Sequence, residues 1–217
     1  MPGSFQETLT PEKALIFRAT HRLNLPWVLA NGLHSRSSDR QDPSFVPIGN
    51  TEIIARRQRR AVPIEPSGDL ADYIPFYFTP YSPMLLNIKT GYGGVQQRPN
   101  HEIVILVSSL IKLEELGVRY VFTDRHAVLN AARFFSRRAD LDQVDFELLQ
   151  RRDFKRDEND PGKFERYQAE ALAYHHVPTE ALLGVVCYTE LVRHEVETVT
   201  SSAGVGLRAF ARPTWYF

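Results

Sequence analysis

The stretch Glu102 to Val107 (EIVILV) constrains the fold of this chain more than any other. Its apolar character is continuous rather than alternating, which predicts a β-strand buried on both faces. No apolar run in the chain approaches the ~20 residues that a membrane span needs. A chain of 217 residues fits one domain and is long enough to surround such a strand with a real core.

Other segments read as short elements around it. Ala14 to Thr20 (ALIFRAT) predicts a strand. Asn24, Pro26 near a helix start and Gly32 as a stop frame a short helix through Trp27 and Leu29. Ser35 to Asn50 is rich in Ser, Asp, Pro and Gly without periodicity and reads as a loop. Asn50 or Thr51 caps the next helix, which carries Arg56, Arg57, Arg59 and Arg60 and ends before Pro63. Tyr73 to Phe78 (YIPFYF) is a strand in which Pro75 implies an edge position or a bulge. Ser109 to Leu116 is a helix that stops at Gly117. Tyr120 to Phe122 is a strand, after which Thr123 is expected to cap a helix through Phe135. Ala139 to Gly162 is polar, with one helix near Val144 to Leu149. Ala169 to His175 and Leu183 to Tyr188 read as strands, Glu190 to Val199 as a helix, and RAFARPTWYF as a last strand packing aromatics. Strands and helices mix without regular βαβ alternation, so the fold class is α+β with mostly antiparallel strands.

Composition narrows the function classes. The hydrophobic fraction of 43% and charged fraction of 24% are those of a folded protein. A formal net charge of zero weighs against indiscriminate nucleic-acid binding but leaves room for a local basic groove. Cys187 is the only cysteine, so neither an internal disulfide nor a Cys-rich zinc site is expected. The N-terminal segment MPGSFQETLTPEK lacks the basic and apolar regions of a signal peptide, and with the lone cysteine it predicts a cytoplasmic protein. GYGGV at Gly91 lacks the Lys-Ser/Thr of a P-loop. His175 and His176 are adjacent, would face opposite sides of a strand and make a poor metal pair. No metal is expected.

Three constellations could carry chemistry. In Gln168-Ala169-Glu170, strand alternation puts Gln168, Glu170, Leu172 and Tyr174 on one face and Ala169, Ala171 and Ala173 on the other. Glu170 either faces a cleft or is an ordinary solvent-facing strand residue. In ARRQRRAVP, Arg57 and Arg60 share a helical face, and guanidinium forks suit a pyrophosphate. The alternative is a surface helix whose arginines meet water. Thr20-His21 at the end of the first strand offers small polar groups for a ribose or an amide. Thr123 to His126 is a further polar cluster that serves equally well as a cap.

IFRATHRLNL, ARRQRRAVP, DYIPFYFTPYSPML, the tract from VSS to YVFTDRH, ARFF and YQAEALAY, in that order, resemble the DarT family of DNA ADP-ribosyltransferase toxins, across roughly Ala14 to Tyr174. The resemblance implies a PARP-like ADP-ribosyltransferase fold with a split, mostly antiparallel sheet and peripheral helices, as a single domain over 1–217. It implies NAD as co-substrate and a base in single-stranded DNA, most closely thymidine, as acceptor. Glu170 falls on the family's catalytic glutamate, which orients NAD through the 2′-hydroxyl of the nicotinamide ribose and stabilises an oxocarbenium-like transition state. Arg57 falls on the catalytic arginine, for which positioning and charge stabilisation suit a guanidinium better than base chemistry. Arg18, Ala19, Thr20, Trp27 and Ser35, with Arg57, match cofactor contacts. About 35–59 corresponds to a loop-helix over NAD and about 126–170 to a substrate-recognition loop, in which His126, Arg166 and Tyr167 are the candidate DNA contacts. The implied partner is a macrodomain antitoxin that removes the modification. Competing readings are modification of guanosine, RNA or protein, and a non-catalytic nucleic-acid-binding module.

Overall fold

The computed structural model describes residues 5–217, so the start of the N-terminal segment, residues 1–4, lies outside the described residues. The strands in chain order are β1 (Leu15–His21), β2 (Leu33–His34), β3 (Tyr73–Tyr77), β4 (Ile103–Ser109), β5 (Tyr120–Thr123), β6 (Phe134–Phe135), β7 (Glu170–Tyr174), β8 (His176–Val177), β9 (Gly184–Cys187) and β10 (Ala209–Ala211). The helices are α1 (Phe5–Thr8), α2 (Leu25–Asn31), α3 (Thr51–Arg57), α4 (Pro83–Thr90), α5 (Leu110–Glu115), α6 (Phe146–Arg151), α7 (Lys163–Arg166) and α8 (Glu190–Ser202). Short 3-10 turns join several of them.

Eight strands form one sheet in the order β10-β9-β4-β1-β3-β7-β5-β6, and β2 pairs with β8 separately. All pairs are antiparallel except β9 with β10. β4 is the strand the apolar run predicted, with every residue buried. Each aliphatic side chain removed from water there contributes roughly 1.5–3 kcal/mol.

The sheet is parted in its middle. β1 pairs with β4 from Leu15↔Ser109 to His21↔Ile103. β3 pairs with β7 from Tyr73↔Tyr174 to Tyr77↔Glu170. Between β1 and β3 the register has a single rung, Phe17↔Tyr77. Pro75 explains why. Its carbonyl accepts a hydrogen bond from Arg18 Nη1 at 2.8 Å, so it points toward β1. In an antiparallel strand the N–H and C=O of one residue share a side, so the donor that proline lacks is missing toward β1 and not toward β7. Pro75 therefore sits in an interior strand, not at the edge its sequence implied, and the ladder opens beside it.

The alternation along β7 follows the expected pattern. Ala169, Ala171 and Ala173 pack into the main core with Ile16, Phe76, Phe122 and the β4 residues. Leu172 joins a smaller cluster with Val62, Leu70, Tyr73 and Val121 on the other face. Helix α8 packs on β9 and β10. The C-terminal aromatics close the core: Tyr216 donates to the Ile103 and Val186 carbonyls, and Phe217 stacks on Tyr81 with ring centres 3.9 Å apart.

Two further expectations give way. No helix follows Thr123. The Asp124 carboxylate instead accepts from the Arg133 backbone N–H and Nε at 3.0 and 2.9 Å, which folds residues 124–133 into a loop leading to β6. Helix α3 ends at Arg57, so Arg59 and Arg60 lie in the turn beyond it rather than on a helical face. Among the described residues, no helix is long and apolar enough to cross a membrane.

Candidate active site

Glu170 starts β7, at the strand's junction with the polar loop before it, and only 2% of it is exposed. Its backbone N–H donates to Thr123 Oγ1 at 3.2 Å, tying it to the end of β5. Its carboxylate has partners on both oxygens. Arg57 Nη1 donates to Oε2 at 2.7 Å. The Ala127 N–H donates to Oε1 at 3.0 Å, and His126 Nδ1 lies 3.0 Å from the same oxygen. Burial alone would raise the carboxyl pKa. The Arg57 charge, followed by His126 and the Ala127 amide, overcomes it and holds Glu170 at about 2.

Arg57 arrives from α3, whose start is fixed by Asn50: its Oδ1 accepts from the Ile53 N–H at 3.0 Å. The Asn50 amide also donates to the Gly93 carbonyl at 2.7 Å, which orients the cap. The last turn of α3 then delivers the guanidinium to a carboxylate 113 positions away in sequence. Arg57 Nη2 is buried and has no hydrogen-bond partner. Arg18 occupies the seam from the β1 side, and burial together with the Arg57 charge lowers its pKa to about 10. Tyr77 sits opposite Glu170 in the β3–β7 register. Its hydroxyl pKa is raised, by burial and then by the Glu170 carboxylate, and the hydroxyl makes no hydrogen bond among the described residues.

The structure thus brings Glu170, Arg57, His126 and Arg18 together, with Tyr77 and the Ala127 amide added. Ala19 follows Arg18 and is half-buried. Thr20 is buried and accepts from Asn24 Nδ2 at 3.1 Å, while Asn24 grips the Val46 backbone through both its N–H and its carbonyl. That contact pins the long loop after β2 to the end of β1. Ser35 and Trp27 belong to a different neighbourhood. The buried Ser35 donates its N–H to the His175 carbonyl, and the Trp27 ring meets His34 edge-on. His175 follows the end of β7, and the four residue steps of that strand alone span about 13 Å from Glu170. Arg166 is held by Asp160 through both terminal nitrogens and by Asp145. Tyr167 is fully buried, donates to the Tyr81 carbonyl at 3.0 Å and packs against Phe154. Its ring is core and offers no stacking surface here. Among the described residues there is no cluster of three or more His, Cys, Asp or Glu arranged to hold a metal.

A buried ionised carboxylate, a guanidinium with an unused donor, an unpaired phenol and a second guanidinium in an open seam form a set that fits a dinucleotide. The carboxylate can accept from ribose hydroxyls and the guanidinium donors can meet phosphate oxygens. The tyrosine and the Ala127 amide were not identified from sequence. Tyr77 is hidden in an aromatic run that reads as core, and a backbone N–H leaves no trace in side-chain identity.

Comparison with known proteins gives this arrangement a family. The family model described as "ssDNA thymidine ADP-ribosyltransferase, DarT" matches residues 17–217. A relative from Escherichia coli O127:H6 (strain E2348/69 / EPEC), named DNA ADP-ribosyl transferase, is 48% identical over 217 residues and covers 100% of both chains. The structure of Thermus sp. 2.9 DarT in complex with ADP-ribosylated ssDNA superposes with a TM-score of 0.86, at 34% identity over 95% of this chain and 98% of that one. The same Thermus protein in complex with NAD+ gives a TM-score of 0.78, at 32% identity over 95% and 99%. With a contiguous family match, a near half-identical relative and a shared overall architecture, the chain belongs to the DarT family of ADP-ribosyltransferases.

Proposed function

We propose that this chain transfers ADP-ribose from NAD to a base in single-stranded DNA, thymidine in the first instance, with release of nicotinamide. The observation that carries this reading is the 2.7 Å contact between Glu170 and Arg57, one strand away from the seam. NAD supplies the ribose whose bond to nicotinamide breaks, with the electron pair leaving on nicotinamide, while a bond to the acceptor base forms and that base gives up a proton.

The chain's own residues set the stage for this. Glu170 is ionised throughout the neutral range, because its pKa is near 2. An ionised carboxylate in a water-poor site accepts ribose hydroxyls and stabilises positive charge developing on the sugar. A guanidinium is a poor base, so Arg57 positions the dinucleotide and balances its phosphates rather than removing a proton. We assign Arg18, Ala19 and Thr20 at the seam, and Trp27 and Ser35 further along, to the dinucleotide. We assign about 35–59 to the segment covering it and about 126–170 to the segment meeting the acceptor strand. His126 touches Glu170 and is the residue on that segment best placed to reach a base. Arg166 and Tyr167 act on DNA through the shape of the loop they anchor.

We further read the chain as the cytoplasmic toxin of a pair whose partner is a macrodomain that removes the modification. The deciding experiment is mass spectrometry of short single-stranded oligonucleotides after incubation with protein and NAD. A mass gain of one ADP-ribose on thymidine-containing DNA is expected, and Glu170→Ala abolishes it. Modification confined to RNA, to protein or to thymidine-free DNA would overturn the acceptor assignment.

A further inference from the structure

We propose that a basic cavity beside the active site binds the phosphodiester backbone of the acceptor strand. This rests on the reading of single-stranded DNA as acceptor and adds where that strand is gripped. The cavity, about 320 Å³, is lined by Ala55, Arg56, Arg59 and Arg60 on one side and Val128 and Asn130 on the other. Both walls run directly into the active site. Arg57, next to Arg56, pairs with Glu170 Oε2, and Ala127, next to Val128, donates its N–H to Glu170 Oε1. A strand lying in the cavity is therefore one residue, on either wall, from the groups that hold the catalytic carboxylate.

The charge of the cavity is uncompensated. None of its lining residues is acidic. Arg56 and Arg59 are exposed and have no acidic partner among the described residues. Glu52, one turn earlier on α3, makes no ion pair with Arg56. This contrasts with neighbouring arginines that each face a carboxylate: Arg125 and Arg133 meet Asp124, Arg137 meets Asp140, Arg138 meets Glu114, and Arg166 meets Asp160. In a chain of zero net charge, three guanidiniums left without a counter-ion make a local anion site.

The cavity is also held in shape. Arg60 Nη2 donates to the Leu129 carbonyl at 3.1 Å and its guanidinium lies 5.8 Å from the centre of the Phe134 ring, which fastens one wall to the other. Arg56 and Arg59 at the rim are open to solvent, which suits a polymer passing through better than the enclosed pyrophosphate of a dinucleotide. Guanidiniums read phosphates without reading sequence, so the site sets affinity and register while the base is chosen at Glu170.

The test is the salt dependence of oligonucleotide binding. A labelled thymidine-containing single strand is titrated without NAD, so that no transfer occurs, between 50 and 200 mM salt, by fluorescence anisotropy. Each phosphate contact on a single strand contributes a slope of about −0.7 in log affinity against log salt. The double variant R56Q/R59Q should lower the slope by about 1.4, so its disadvantage against the unaltered protein shrinks about 7-fold across that range. The variant R56K/R59K should restore most of the slope, and because about 35–59 also covers the dinucleotide, the test compares the two effects: the loss of strand affinity should exceed any rise in the KM for NAD. A raised KM for NAD with an unchanged slope would mean that the cavity serves the cofactor, and unchanged values of both would mean that it binds neither; each result overturns the proposal. If R56Q/R59Q does not fold, R56Q and R59Q separately carry the test, each expected to lower the slope by about 0.7. A protein that neither binds nor modifies single-stranded DNA would remove the acceptor reading itself, an outcome distinct from unaltered modification with an unchanged slope.

Discussion

Replacing Arg57 by glutamine strips the counter-charge from a carboxylate with almost no access to water. Glu170 is 2% exposed and the Arg57 side chain 12%. The shift of Glu170 from its ordinary 4.5 to about 2 corresponds to roughly 3 kcal/mol favouring the ionised form in the folded protein. Removing one partner of a buried pair usually costs about 3–5 kcal/mol, because the other charge stays behind. At pH 7 Arg57→Gln should therefore lower the urea midpoint by roughly 1 to 2 M. The pH dependence carries the sharper signature. In the unaltered protein the depressed pKa gives stability that is complete above the unfolded value of about 4.5 and is lost only as pH falls toward 2. In the variant, burial is opposed only by His126 and the Ala127 amide, so the folded pKa rises from about 2. Glu170 of the variant then takes up its proton at a higher pH than in the unaltered protein. The gap between the two proteins is widest near pH 7 and narrows as pH falls through that raised pKa. Adding Glu170→Gln to Arg57→Gln should recover part of the loss, since no buried carboxylate is then left without the Arg57 counter-charge. Urea unfolding followed by tryptophan fluorescence at several pH values measures all of this. A gap that stays constant from pH 7 down to about pH 3, or no loss at pH 7, would refute Arg57 as the group that keeps Glu170 ionised.

Other expectations follow from particular contacts. Glu170→Gln should reduce ADP-ribose transfer by at least about 100-fold, as loss of a transition-state contact does, in an oligonucleotide mass assay; activity within a few-fold of normal would remove Glu170 from the chemistry. Asp124 is buried and binds Arg133 through backbone and side chain. Asp124→Ala should cost about 1–3 kcal/mol and raise the KM for the oligonucleotide while sparing that for NAD, and an unchanged melting temperature would contradict its role as anchor of the loop. Gly32 has φ +77°, and a Cβ there would come within 2.5 Å of the Val177 carbonyl oxygen. Gly32→Ala should therefore destabilise by more than about 1 kcal/mol, a claim that an unshifted denaturation midpoint refutes. Cys187 is buried, and burial pushes its thiol up to about 12. It should resist thiol reagents in the native state and react fully in denaturant, and rapid native labelling would show that the β9–β10 edge opens readily.

What was legible in the sequence follows the range of the forces involved. β4 declared itself through an unbroken apolar run, and β7 through an alternation whose alanine face does pack into the core. Pro26 and Gly32 frame α2, and Asn50 caps α3, because these depend only on neighbouring residues. Tertiary contacts overrode local preference elsewhere. Thr123 looked like a cap, but its hydroxyl is engaged by Glu170 and Arg125, and Asp124 draws Arg133 back over a distance no propensity encodes. Pro75 looked like an edge marker, yet its missing donor faces a seam inside the sheet. The two-residue strands β2, β6 and β8 carry too little pattern to read. At the active site, Glu170 and Arg57 each stood out alone, but their separation in sequence made their meeting invisible to spacing, and only the resemblance linked them. Tyr167 shows the reverse: a tyrosine on a polar segment reads as available for stacking until the fold is seen to cover its ring.

The interruption beside Pro75 has a mechanical meaning. A closed ladder resists spreading with a row of backbone bonds, and cutting one into a sheet of this width would cost a large share of the molecule's stability. Here the two four-stranded plates share one rung and one side-chain tether, Arg18 to the Pro75 carbonyl. A guest that enters between them meets an arginine that can swing aside rather than a row of backbone bonds, while the main core still holds both plates together. Each plate keeps its own strand pairing, β1 with β4 and β3 with β7, independent of the single rung between them.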